Sequence, residues 1–149
     1  MLNLGATYLI VKDMEKSIAF YEALLDMSVT SQNYNRWAQF NFGNACIALW
    51  NPQYDDERIR EGKDLDRLYN PAYLDYKAST PIIYGNNVVL NFWVEDLNQE
   101  YERVKGLNIG RVSDILFINV AAPYYCFMLD DPDGNQIEIT GQWCSGLEE

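Results

Sequence analysis

The chain of 149 residues predicts an α+β fold: two βαβββ repeats forming a curved mixed sheet around a cleft. Three observations carry that prediction. An Asp-capped helix pattern occurs twice, a turn and a strand follow in each copy, and the strands alternate between an apolar face and a mixed one.

In the first copy, Val11-Lys12-Asp13-Met14 follows a strand-like run from about Leu4 to Val11. The aspartate suits an N-cap, because its carboxylate accepts from the unpaired N–H groups of a first helical turn. Met14, Ile18, Tyr21 and Leu25 then recur at helical spacing, which predicts a helix from Met14 to about Leu25. Strands follow near Val29–Gln32, Arg36–Phe42 and Ala45–Trp50, the last two joined by a Gly43-Asn44 turn.

The second copy repeats this order. Its strand covers about Asn87–Val94, Asp96 caps a helix from Leu97 to about Lys105, and Leu97, Tyr101 and Val104 mark the helical stripe. A weak strand near Arg111–Leu116 and a stronger one at Tyr124–Leu129 lead to Asp130-Asp131-Pro132-Asp133-Gly134-Asn135, whose residue types suit a tight reversal. Gln136–Thr140 is the last strand. The tail from Gln142 is expected to pack through Trp143 and fray beyond it.

Between the repeats, residues 51–80 read as an irregular linker, broken by Asn51-Pro52 and Asn70-Pro71, with a short helix around Asp64–Tyr69 and the potential to act as a lid. One domain over 1–149 is the expectation at this length, with repeat one at about 4–50 and repeat two at about 82–143.

Composition narrows function. The net charge of −11 repels phosphate backbones and anionic lipid, so nucleic acid is not an expected partner. Neither a secretory leader nor an apolar run long enough for a membrane span is visible, and the expected location is the cytoplasm. Cys46, Cys126 and Cys144 show no CxxC spacing and are read as reduced. Histidine is absent, which removes the usual general base and the usual metal ligand, and with them a serine-hydrolase triad. No GxGxxG or P-loop pattern is present.

Two stretches carry a family resemblance: Tyr8-Leu9-Ile10-Val11-Lys12-Asp13-Met14-Glu15-Lys16-Ser17-Ile18-Ala19-Phe20-Tyr21, and Asp131-Pro132-Asp133-Gly134-Asn135-Gln136-Ile137-Glu138-Ile139. With them the chain resembles the glyoxalase, bleomycin-resistance and ring-cleaving dioxygenase superfamily, the vicinal oxygen chelate proteins. The resemblance implies a divalent metal held by four side chains, typically His, Gln or Glu, from the first and last strands of each repeat. It also implies a homodimer. Matching the strands puts those four positions at Ala6, Ala48, Val89 and Glu138, of which only Glu138 can donate to a metal. Asn91 and Gln136, two residues away on the same strand faces, are poor substitutes, so no metal and no other cofactor is expected.

Strand parity offers a reading independent of the family. Leu9, Val11, Ile47, Leu49, Leu90, Phe92, Val94, Ile137 and Ile139 form the packing face. The opposite face carries Ala6, Tyr8, Cys46, Ala48, Trp50, Val89, Asn91, Trp93, Gln136, Glu138 and Thr140. From it come the candidate ligand-binding residues Tyr8, Trp50, Asn91, Trp93, Gln136 and Glu138, in an apolar cleft with a few polar groups. The expected function is metal-free binding and sequestration of a small aromatic molecule, cationic or neutral, as the drug-resistance members of the resembled superfamily do. Two alternatives stay open: a divergent lyase or dioxygenase with a misplaced metal site or Glu138 as general base, and a protein-interaction module built on the aromatic face.

Overall fold

The first repeat closes around β1 (Thr7–Ile10), α1 (Met14–Leu25), β2 (Ser31–Asn33), β3 (Trp37–Phe42) and β4 (Ala45–Trp50). The computed structural model describes residues 1–144. Its first sheet runs β1-β4-β3-β2, with β1 parallel to β4 and the rest antiparallel. Strand β1 is shorter than the expected Leu4–Val11. Its register sets Thr7 opposite Ile47, so the preceding residues run out against the Gly43-Asn44 turn, where Leu2 and Leu4 are exposed.

The second repeat has the same topology in β5 (Val89–Asp96), α5 (Leu97–Leu107), β6 (Leu116–Ile118), β7 (Tyr124–Asp130) and β8 (Gln136–Gln142), ordered β5-β8-β7-β6. The weak strand expected at Arg111–Leu116 is displaced: β6 starts at Leu116, and an isolated Val112–Leu129 bridge is what marks the expected span. Backbone bonds flank that bridge, from Ser113 N to Met128 O at 2.9 Å and from Asp130 N to Arg111 O at 3.3 Å, but the return bond goes to the Ser113 side chain. Its hydroxyl accepts from the Met128 N–H at 2.8 Å, so a side chain takes a bond that strand pairing would otherwise use.

Both capping aspartates act as expected. Asp13 accepts from Lys16 N at 3.1 Å and Asp96 from Gln99 N at 3.0 Å. Strand parity holds for most positions: Leu9, Val11, Ile47, Leu49, Leu90, Ile137 and Ile139 are buried and Tyr8, Val89 and Trp93 exposed, whereas Phe92 and Val94 are half-buried and Ala48, on the mixed face, is fully buried. On α1 the buried stripe is Met14, Ser17, Phe20, Tyr21 and Leu24, rotated slightly from the expected one, with Ile18 and Leu25 half-buried. Trp143 meets Tyr101 edge-on at 6.1 Å; the expected fraying beyond it lies largely outside the described residues.

Residues 51–80 are not an irregular linker. They form α2 (Pro52–Glu61), α3 (Leu65–Leu68) and α4 (Pro71–Ser79). The two Asn-Pro pairs that read as breaks are helix starts: Asn51 accepts from Gln53 N at 3.1 Å and Asn70 from Tyr73 N at 2.9 Å, with a proline at the first helical position of each. Proline fits there because that N–H has no intrahelical acceptor anyway. Few residues of these helices are buried, so apolar periodicity did not announce them.

The described residues form two compact units, residues 1–19 with 28–84, and residues 20–27 with 85–144.

The motif that carries the family resemblance is architectural. Asp131, 5% exposed, accepts from the backbone N–H groups of Asp133 (2.9 Å) and Asn135 (2.8 Å), from the Asn135 amide (2.8 Å) and from the Tyr21 hydroxyl (2.7 Å). One carboxylate thus shapes the turn before β8 and anchors the end of α1. Burial, then the adjacent Asp131, pushes the Tyr21 phenol far above its ordinary range, so it stays a donor.

Candidate functional site

In the first unit the mixed face of the sheet forms an aromatic cavity of about 380 Å³, lined by Tyr8, Arg36, Trp37, Trp50, Tyr73 and Tyr76. The sheet supplies three rings. Tyr8 on β1 meets Trp37 edge-on at 5.1 Å and Trp50 at 6.4 Å, and Trp37 lies directly opposite Trp50 across the β3–β4 ladder. Tyr73 and Tyr76 come from α4. The Trp50 indole N–H is buried and has no hydrogen-bond partner among the described residues. Trp37, by contrast, donates to Gln39 at 2.9 Å, and Gln39 to Asn41 at 3.1 Å, which fixes the indole along β3.

Behind this cavity a buried carboxylate ties the helices to the sheet. The Asp55 side chain, 1% exposed, accepts from Arg36 Nε at 2.9 Å, the Tyr69 hydroxyl at 2.8 Å and the Tyr73 hydroxyl at 2.9 Å. Burial alone would raise the Asp55 carboxyl, but these three donors outweigh it and hold it below its ordinary value. The Tyr69 and Tyr73 phenols are pushed up by burial and by the same carboxylate. Lys77 adds a second tie: with its side chain 7% exposed, it pairs with Asp56 at 3.0 Å and lies 5.4 Å from the Trp50 ring centroid. Both cations near the aromatic rings therefore already have carboxylate partners, and no carboxylate lines the cavity itself.

Of the six residues singled out from sequence, the structure brings Tyr8 and Trp50 together in this cavity. Asn91, Trp93, Gln136 and Glu138 lie on the mixed face of the second sheet. There Asn91 is directly opposite Glu138, and Val89 is opposite Gln136. The Asn91 amide donates to Glu138 at 2.7 Å and to the Thr140 hydroxyl at 3.0 Å, and Thr140 donates to Glu138 at 3.2 Å. Trp93 is 62% exposed. On the same face, burial and the Glu138 charge push the Cys126 thiol up, which keeps it protonated.

The same registers bear on the four family ligand positions. Of those positions, Ala6, Ala48 and Val89 carry no donor atom, and the residues directly across the ladders are Tyr8 opposite Ala48, Gln136 opposite Val89 and Asn91 opposite Glu138. Glu138 is therefore the one carboxylate among the four positions. The carboxylate is already engaged, and among the described residues no three His, Cys, Asp or Glu side chains converge. The residues present do not fit a catalytic transition-metal centre, which normally needs three protein ligands.

Trp37 and Arg36 were missed in the sequence although a signal was there. The two-residue Gly43-Asn44 turn sets Phe42 opposite Ala45, and counting back from that pair puts Trp37 opposite Trp50. Tyr73 and Tyr76 had no such signal, because α4 was not recognised as a helix.

Two four-stranded mixed sheets, each with a helix after its first strand, and the Asp131-centred turn before β8 are the marks of a glyoxalase-like α+β fold. The chain belongs to the Glyoxalase/Bleomycin resistance protein/Dioxygenase superfamily, whose model matches residues 3–139. Among solved structures it is similar to a glyoxalase/bleomycin resistance protein/dioxygenase from Nocardioides, 20% identical with a TM-score of 0.64, covering 98% of this chain and 87% of that one. It is also similar to a glyoxalase-related enzyme from Fulvimarina pelagi, at 16% identity, a TM-score of 0.64 and coverage of 95% and 89%. A bleomycin-binding protein complexed with bleomycin is 15% identical, with a TM-score of 0.59 and coverage of 95% and 100%. At these identities the likeness is one of fold. No curated protein sequence matches the chain significantly. No helix among the described residues is long and apolar enough to cross a membrane.

Proposed function

We propose that this protein binds and sequesters a small planar aromatic molecule without a transition metal, and that it works as a cytoplasmic homodimer. The observation that carries the reading is the cavity of Tyr8, Trp37, Trp50, Tyr73 and Tyr76, five rings around about 380 Å³. That volume suits one small ring system, and aromatic walls contribute stacking of roughly 0.5–1.5 kcal/mol per contact. The buried Trp50 N–H, without an acceptor in the protein, is a donor that a ring nitrogen or carbonyl of the ligand would satisfy.

Of the two ligand charges open at the level of sequence, the lining favours a neutral one. Arg36 stands in the wall, and Glu138, the expected counter-charge, lies on the other sheet and is already bonded. The poor ligand set at Ala6, Ala48, Val89 and Glu138 supports the metal-free part of the reading. The exposed Val89, Trp93, Leu116 and Tyr124 of the second sheet support a covered face, hence the dimer. Three unpaired cysteines suit a reducing compartment.

Titrating the protein with acridine, and separately with N-methylacridinium, while following tryptophan emission tests the proposal. Acridine is expected to quench the emission saturably and more tightly than the cation. Absence of saturable quenching by either probe overturns the reading. Elemental analysis of the purified protein finding about one tightly held transition metal per chain overturns its metal-free part.

A further inference from the structure

A second, larger cavity of about 600 Å³ lies in the first unit, between the β2–β3 turn and helices α2, α3 and α4. Its chemistry differs from that of the aromatic cavity. Tyr34 and Tyr54 stand nearly parallel at 6.1 Å, and Tyr69 and Tyr73 nearly parallel at 5.2 Å, so two stacked pairs contribute to its wall. Arg58 reaches over the Tyr54 ring, 4.7 Å from its centroid. One end of that guanidinium pairs with Glu61 at 3.3 Å and Glu57 at 3.8 Å, while Nε is buried and has no acceptor among the described residues. Asn33 and Asn70 add amide groups. The one carboxylate in the lining, Asp55, is saturated by Arg36, Tyr69 and Tyr73 and offers no charge to a ligand.

A covered N–H without an acceptor is rare in a folded protein and is satisfied when a ligand brings one. Arginine in a tyrosine-rich cavity is suited to a carboxylate attached to a ring: the guanidinium takes the anion by charge-assisted hydrogen bonds, and the phenol faces take the ring. We infer that this cavity is a second ligand site, built by the inserted helices, that takes a planar aromatic acid with its ring against Tyr54 and Tyr69 and its carboxylate on Arg58. The two cavities share Arg36 and Tyr73, so the ion-paired wall between them is common to both. Occupancy of one does not require occupancy of the other.

Isothermal titration of the full chain with 2-naphthoate and with its uncharged partner 2-naphthamide provides the test. Naphthoate is expected to bind, and Arg58→Gln to weaken it at least about tenfold while changing naphthamide affinity by less than about twofold. Arg58→Lys, which keeps the charge and removes the Nε–H, should fall between. Tyr76→Ala, which alters the aromatic cavity alone, should leave naphthoate affinity unchanged, so failure here is separable from failure of the acridine site. No heat from naphthoate up to about 10 mM overturns the inference. So does naphthoate binding that survives Arg58→Gln, or that is lost in Tyr76→Ala.

Discussion

Replacing Asp55 by asparagine tests how the inserted helices are held against the first sheet. The carboxylate is 1% exposed and accepts three hydrogen bonds of 2.8–2.9 Å, from Arg36, Tyr69 and Tyr73. Breaking a fully buried ion pair costs about 3–5 kcal/mol. Arg36 is 38% exposed and can be rehydrated, and the amide oxygen retains part of the acceptor role, so about 2–3 kcal/mol is the expected loss. For a domain of this size that corresponds to a melting temperature lower by roughly 5–10 °C. Calorimetry at neutral pH measures it. The pH dependence has a definite sign. The native Asp55 carboxyl lies below its ordinary value, so its stabilisation is complete above an unfolded pKa of about 3.9 and is lost as pH falls through the lower native value. The difference between wild type and Asp55→Asn should therefore be flat from about pH 5 towards neutrality and shrink below about pH 4. A variant that melts within about 1 °C of wild type would refute the reasoning.

Four further outcomes are expected. Tyr21→Phe removes the buried donor to Asp131 and should cost about 1–3 kcal/mol in urea denaturation. In the wild type, the raised Tyr21, Tyr69 and Tyr73 phenols contribute stability that is complete below about pH 10, the unfolded value, and is lost above it, as alkaline melts should show. Asn51→Ala and Asn70→Ala should each destabilise by about 1 kcal/mol if these residues cap helices; changes within about 0.2 kcal/mol would contradict the helical assignment of residues 52–79. Light scattering should report a dimer at micromolar concentration, and substituting Trp93 by lysine should shift it towards monomer.

What could be read in the sequence depended on whether local chemistry and periodicity agreed. Asp13 and Asp96 announced their helices because a cap was followed by an apolar stripe. The alternation in β4, β5 and β8 gave the correct inner and outer faces. Asn51-Pro52 and Asn70-Pro71 carry equally good start signals, but the helices they open bury little apolar surface, so the same residues passed for turn punctuation. That omission hid two of the five aromatic residues of the cavity, because Tyr73 and Tyr76 are brought to Tyr8 and Trp50 by α4. It also hid the role of Asp55, which looked like one charge among many in a segment of mixed charge and instead accepts three hydrogen bonds. On the second sheet, strand parity placed Asn91, Trp93, Gln136 and Glu138 on the mixed face, and the bonds that join Asn91, Thr140 and Glu138 there depend on cross-strand register.

The proposal that the first unit holds a planar aromatic molecule rests on the cavity of Tyr8, Trp37, Trp50, Tyr73 and Tyr76, and its most direct test is the dissociation constant of acridine measured calorimetrically for the wild type, Trp50→Ala and Tyr76→Ala. Tyr76 is 59% exposed, so its replacement leaves the fold intact and isolates the contact. Loss of one stacking wall, at roughly 0.5–1.5 kcal/mol, predicts affinity about two- to tenfold weaker in Tyr76→Ala, and Trp50→Ala weaker still. Equal affinity in all three proteins, or no binding by a wild type that is folded, would contradict the account.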